Sequence, residues 1–181
     1  FTLVGNLYYM RIKDLIGFNA TENTYANGGP MSTEGAELQL RYNSESFDAM
    51  LGYSYNRADE QGFSLYSSAP TLDHLNLNMP AHQVTWSADW HITRTLNWNF
   101  SGTFLSERAA YAYPNAAAPS RLDPEFLLHT YLDYHWRQFN LGFGIRNLLD
   151  EDELIGQTYA GGSGPLPLPG RTFFAQIGVH F

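Results

Sequence analysis

The chain has 181 residues and no cysteine, enough length for a sizeable core but no means of building a disulfide framework or a thiolate metal site. A net charge of −8 and a pI near 5.1 exclude a nucleic-acid-binding role, which needs a basic face to neutralise phosphates. Charged residues make up only 15%, no more than the aromatics at 15% and well under the roughly 25% of soluble domains, so something other than water faces much of the surface.

No apolar run approaches about 18 residues, which excludes a transmembrane helix. A membrane protein without helices must be a closed barrel, because only closure pairs every backbone N–H and C=O in lipid. The opening "FTLVGNLYYMRI" lacks the charged start and cleavage site of a signal peptide. It reads instead as a first strand, in which Val4 and Met10 blur the alternation of Leu3, Leu7 and Tyr9.

The period of two is cleaner from there on. Ala36, Leu38, Leu40 and Tyr42 alternate with Glu37, Gln39 and Arg41, and Phe47, Ala49, Leu51, Tyr53 and Tyr55 alternate with Asp48, Met50, Gly52, Ser54 and Asn56. Val84, Trp86, Ala88, Trp90 and Ile92 oppose Thr85, Ser87, Asp89 and His91, and Leu96, Trp98 and Phe100 oppose Asn97, Asn99 and Ser101. Thr130, Leu132, Tyr134 and Trp136 oppose His129, Tyr131, Asp133 and His135; Phe139, Leu141, Phe143 and Ile145 oppose Asn140, Gly142, Gly144 and Arg146. The chain closes on "GRTFFAQIGVHF", with Phe173, Ala175, Ile177, Val179 and Phe181 on one face and Thr172, Phe174, Gln176, Gly178 and His180 on the other.

The pattern predicts an all-β transmembrane antiparallel barrel wall of eight strands. Tight turns at "NSES", "TR" and "RQ" alternate with long connections at about 15–28, 59–79, 106–124 and 150–169. In outer-membrane barrels the turns are periplasmic and the loops extracellular, so an even strand count puts both chain ends on the periplasmic side. Outward residues beside the turns include six aromatics (Tyr42, Phe47, Trp90, Trp136, Phe139, Phe181), and Tyr53, Tyr55, Phe104 and Phe126 make a thinner belt at the loop end. A soluble β-sandwich would share the greasy face but not the alternation of long and short connections.

Four stretches carry a resemblance: "IKDLI", "YANGGPMSTEGAELQL", "LGFGIRNLLDEDEL" and "PGRTFFAQIGVHF". In this order they resemble the C-terminal part of a TonB-dependent outer-membrane receptor, with "NLLD" in place of the commoner "NLFD" and "EGAEL" in place of "GvEl". The resemblance implies a 22-stranded barrel filled by an N-terminal plug, with residues 1–181 as its last eight strands and the plug absent. It implies a multi-pass protein in the lipid of the bacterial outer membrane, powered through the TonB system and carrying a ferric siderophore or similar scarce ligand. It also implies recognition by the β-barrel assembly machinery through Phe173, Ile177, Val179 and Phe181.

Asp89 with His91 and Asp133 with His135 are i, i+2 pairs of the kind in which a carboxylate orients an imidazole for hydrolysis. They lie near the turns, on strands about 10 Å apart, without an obvious serine, so no enzymatic activity is expected. With His180 they are read as lining the lumen against the plug. Arg108, Tyr111, Tyr113 and Arg121 combine cations and rings suited to an anionic ferric chelate. "DEDE" at 150–153 has oxygen ligands suited to calcium but reads better as a solvated strand end, and "GGSGPLPLPG" as loop. No metal or cofactor is expected. The alternatives are a freestanding eight-stranded barrel with an adhesin or structural role and, further off, an outer-membrane hydrolase.

Overall fold

The computed structural model describes all residues except 15, 20–21, 28, 61–67, 114–115, 157–163 and 181. Eight antiparallel strands form one sheet in chain order: β1 (Thr2–Ile12), β2 (Met31–Asn43), β3 (Phe47–Glu60), β4 (His82–His91), β5 (Leu96–Leu105), β6 (Glu125–Trp136), β7 (Phe139–Arg146) and β8 (Thr172–Val179). All eight predicted strands are present, in a plain meander. Several reach further toward the long connections than the alternation suggested; β2, for example, starts at Met31.

The register carries one side-chain face across the sheet. Leu38, Tyr53, Val84, Phe104 and Phe126 are successive partners on β2 to β6, and Ala49, Ala88, Phe100, Thr130, Ile145 and Phe173 continue the same face on β3 to β8. Among the described residues no second layer covers it: Leu7 is 87% exposed and Ile177 73%. A sandwich would bury these residues, so the exposed apolar face rules that architecture out.

At the short-turn end, rings pair across the turns, Tyr42 with Phe47 at 6.3 Å and Trp136 with Phe139 at 5.9 Å, and Trp90 lies opposite Trp98. Toward the long connections Trp86 packs on Phe126 at 5.1 Å, and Tyr53 bonds His82 Nδ1 at 2.8 Å. These are the two belts that a bilayer favours at its boundaries.

On β1 one ring leaves the apolar face for a cross-strand reason, while among the described residues Val4 and Met10 have no such partner to account for the blur. Tyr8 faces the polar side, where its ring lies over Gly35 of β2 and its hydroxyl accepts a 2.7 Å bond from the Asn56 amide of β3. Any side chain at Gly35 would collide with that ring. Leu3, Leu7 and Tyr9 keep the apolar face.

The long connections hold four two-stranded ribbons: Ile16–Asn19 with Thr24–Asn27, Ser68–Ala69 with Leu75–Asn76, Arg108–Ala110 with Ser120–Leu122, and Leu154–Ile155 with Leu166–Pro167. Segments of two to four residues are too short to show a period, so sequence alone reads them as irregular. Among the described residues the sheet strands bury only scattered hydrophobics such as Ala58 and Leu127 and contribute to no buried cluster. A small one sits among these connections, built from Ala69, Leu77, Ala109, Tyr111 and Ala116 with Leu72 and Leu75 against it.

"NLLD" and "PGR" close the last connection together. Asn147 takes φ 50°, its amide bonds both backbone groups of Glu151 at 2.7 and 2.9 Å, and Asp150 takes φ 61°. Asp150 then accepts the Arg171 backbone N–H at 2.7 Å and its guanidinium at 3.2 Å. "DEDE" is thus a clasp and turn at the strand end.

The Arg171 backbone N–H, and then its side chain, hold the Asp150 carboxyl below the usual carboxylate range. A lowered folded-state pKa contributes stability at pH above the ordinary aspartate value near 4, and that contribution is lost as the pH falls through the folded value. The Arg171 amide should therefore be protected from hydrogen exchange at pH 7, after correction for intrinsic rates, and lose protection in strong acid. Asp150→Asn should weaken the clasp and abolish that acid dependence; equal acid loss in the variant would contradict it.

Candidate functional site

At the short-turn end the polar face of the sheet carries one group of titratable side chains. Each of two descending strands closes there on an asparagine opposite it. His91 faces Asp48 Oδ2 at 3.2 Å and Asn97 Oδ1 at 2.9 Å, and His135 faces Asp133 Oδ2 at 2.9 Å and Asn140 Oδ1 at 2.6 Å. Asn97 and Asn140 are the cross-strand partners of the two histidines. Asn140 also donates to His180 Nε2 at 2.9 Å, which carries the second chain onto the end of the sheet.

The anticipated Asp133–His135 pair is present, whereas Asp89 does not touch His91. Residues two apart on a strand are separated by about 6.6 Å, and cross-strand neighbours compete at shorter range. Asp89 accepts from the Asn99 amide at 2.8 Å instead, and Asp48 takes its place. Among the described residues no hydroxyl bonds either histidine, so neither network contains a poised nucleophile.

At the other end the long connections lock into a cap. Arg108 is 2% exposed; its Nη2 donates to Glu125 Oε1 at 2.6 Å and to the Leu154 carbonyl at 2.9 Å. The Leu154 N–H returns to Glu125 Oε1 at 3.2 Å, so one carboxylate ties the start of β6 to two connections. Asn78 ties the third: its backbone N–H donates to the Ala109 carbonyl at 2.8 Å and its side chain accepts the Gly156 N–H at 2.9 Å.

The four anticipated ligand contacts divide sharply. Arg108 and the 3% exposed Tyr111 are inside the cap, Arg121 lies at its surface, and Tyr113 is 64% exposed. Arg121 is held by Glu107 and by Asp73 Oδ2 at 3.0 Å, and the negative charge of Glu107 above all raises its pKa further. Glu125 and Asn78 went unnoticed in the sequence because their partners are fixed only by the fold.

Removing one member of a buried ion pair strands the other charge, at a cost of about 3–5 kcal/mol, whereas replacing both can be nearly neutral. Arg108→Met should therefore open the cap, seen as faster hydrogen exchange at Ala109 and Leu154, and Arg108→Met with Glu125→Leu should restore most of the protection. Unchanged exchange in the single variant would show that the pair does not hold the cap.

The family described as TonB dependent receptor-like, beta-barrel matches residues 1–148. No curated protein matches the sequence. Among solved structures, the ferric-catecholate import receptor Fiu from E. coli in its closed form is 19% identical with a TM-score of 0.78, over 99% of this chain and 25% of that one. The siderophore receptor PiuA from Acinetobacter baumannii is 16% identical with a TM-score of 0.71, over 98% and 26%. A mutant ferric enterobactin receptor, PfeA, from Pseudomonas aeruginosa is 20% identical with a TM-score of 0.63, over 99% and 29%. The chain thus spans about a quarter of the length of these structures. An uncovered apolar face, a polar opposite face and alternating short and long connections are what a lipid-embedded wall requires, and with the sequence match they make this chain a member of the TonB-dependent receptor β-barrel family.

Proposed function

We propose that this chain is part of the wall of an outer-membrane transporter that takes up a ferric siderophore with energy delivered by TonB. The observation that carries this reading is the likeness of nearly the whole sheet to barrels of siderophore and ferric-chelate receptors. Residues 1–181 are the C-terminal strands in this reading, and a plug elsewhere in the polypeptide makes the TonB contact. A freestanding eight-stranded barrel would pair β8 with β1, but among the described residues these two strands lie at opposite edges of the sheet and do not pair with each other, which favours a larger wall.

Each part of the polar face then has a task. Asp89, His91, Asp133, His135 and His180 present hydrogen-bonding groups to the plug in the periplasmic half of the lumen. Tyr113 and Arg121 meet the ligand on the cap, whose shape Arg108 and Tyr111 maintain. Phe173, Ile177 and Val179, all exposed on the apolar face, belong to the signal read by the assembly machinery together with Phe181, which lies outside the described residues.

The transport reading is tested in iron-starved cells with labelled ferric siderophores. Deleting the gene for the native polypeptide should abolish uptake of one of them, and removing TonB should do the same. Uptake of every ferric siderophore used by the parent strain at the parental rate after deletion would overturn it. Replacing His91, His135 and His180 together by alanine should raise leak current through the native polypeptide in planar bilayers while leaving membrane insertion intact. Wild-type leak would remove the plug-facing role.

A further inference from the structure

Toward the long connections, the polar face of β6–β8 contains an arrangement that the plug and cap roles do not use. The residues of β7 on that face run Asn140, Gly142, Gly144, Arg146. The two glycines leave gaps that rings from the flanking strands fill: Tyr131 of β6 lies where a side chain at Gly142 would be, and Phe174 of β8 where one at Gly144 would be. The rings stack on each other, with centroids 5.7 Å apart and planes 8° from parallel. Arg146 sets its guanidinium 5.5 Å from the centre of the Phe174 ring.

Ring burial over glycine is a structural device in sheets and accounts for Tyr131 and Phe174. It does not account for the cation. Among the described residues Arg146 has no carboxylate within ion-pair distance, whereas Arg108 and Arg171 have one each and Arg121 has two. Asp89 and Asp133 lie several rows away toward the short turns, in their own networks.

Beside Arg146, the Asn147 backbone N–H donates to His129 Nδ1 at 3.0 Å. That bond requires a lone pair on Nδ1, so the proton of the neutral ring is on Nε2, which is left as a donor. His129, Tyr131, Arg146, Phe174 and Ser101 line one hollow of about 240 Å³.

We propose that Arg146, Phe174, Tyr131 and His129 form a binding site for a flat aromatic oxyanion, such as a catecholate group of an anionic ferric chelate. A guanidinium fork with a neighbouring N–H recognises two oxygens on one plane, and a parallel ring platform accepts the flat group that bears them. The site deepens the transport reading and rests on it: it is a station in the lumen below the cap, reached after capture.

The test is calorimetric binding to the native, detergent-solubilised polypeptide, with ferric tris-catecholate as the anionic probe and neutral ferric tris-acetohydroxamate as the control. Arg146→Gln should weaken binding of the catecholate complex at least about tenfold and leave the neutral complex unaffected, with Arg146→Lys intermediate, because charge without the fork is retained. Arg146 is exposed, so the Gln variant should keep the wild-type heat-dependent shift in gel mobility that marks a folded barrel. No binding of the catecholate complex by the wild type, or equal effects of Arg146→Gln on both complexes, would overturn the site. Uptake in iron-starved cells separates the two claims: uptake without an Arg146 effect sinks the site alone, and the predicted binding without uptake sinks the transport reading alone.

Discussion

Backbone pairing is the constraint on which this molecule depends. In hydrocarbon an unpaired N–H or C=O has no water to turn to, so each strand must be bonded along its length to the next. Seven successive antiparallel pairings achieve this from β1 to β8. Once the register is set, side chains have no freedom to choose a face, because a slip of one residue would exchange lipid-facing and lumen-facing sets along the whole strand. The rows of apolar residues, the paired rings at the turns and the Asp–His–Asn chains all follow from that alignment.

Wall and cap obey different rules. Among the described residues the wall has no buried cluster of its own; many of its large apolar residues are exposed in isolation and depend on the surrounding medium. The cap resembles a small soluble protein, with alanines and Tyr111 buried, an internal ion pair and side chains bridging three connections. Charges that are costly to bury are placed there opposite each other, Arg108 Nη2 on Glu125 Oε1, although Arg108 Nη1 and Glu125 Oε2 are buried without a hydrogen-bond partner among the described residues. One short chain thus holds two kinds of stability, one borrowed from lipid and one intrinsic.

How much of this is legible in the sequence depends on the range of the interaction. Strand faces are local: Phe47 to Asn56 announces its two sides within ten letters, and β2 to β8 were readable this way. β1 was found but with a blurred face, and part of that is long-range: Tyr8 answers to Gly35 and Asn56, residues on two other strands. Asp89 looked like the partner of His91 because sequence displays neighbours along a strand, while Asp48, across the sheet, lies 43 positions earlier. Arg108 looked like a solvent-facing loop cation, since nothing in its own neighbourhood reveals that Glu125, 17 residues on, will be folded against it. The Gly142, Gly144 and Arg146 track was visible as letters, but its meaning required the rings from both flanking strands.

The Asp150–Arg171 clasp bears on how such a protein can change over generations. It joins the two ends of the last connection immediately above β7 and β8, 21 positions apart in the chain. With the ends pinned there, residues between them can be inserted, deleted or replaced without transmitting strain to the strand register below, because longer closed loops cost only slowly growing entropy. The wall can therefore stay fixed while the segment beyond the clasp diversifies. The clasp is in this sense a boundary between what the membrane dictates and what the environment is free to rewrite.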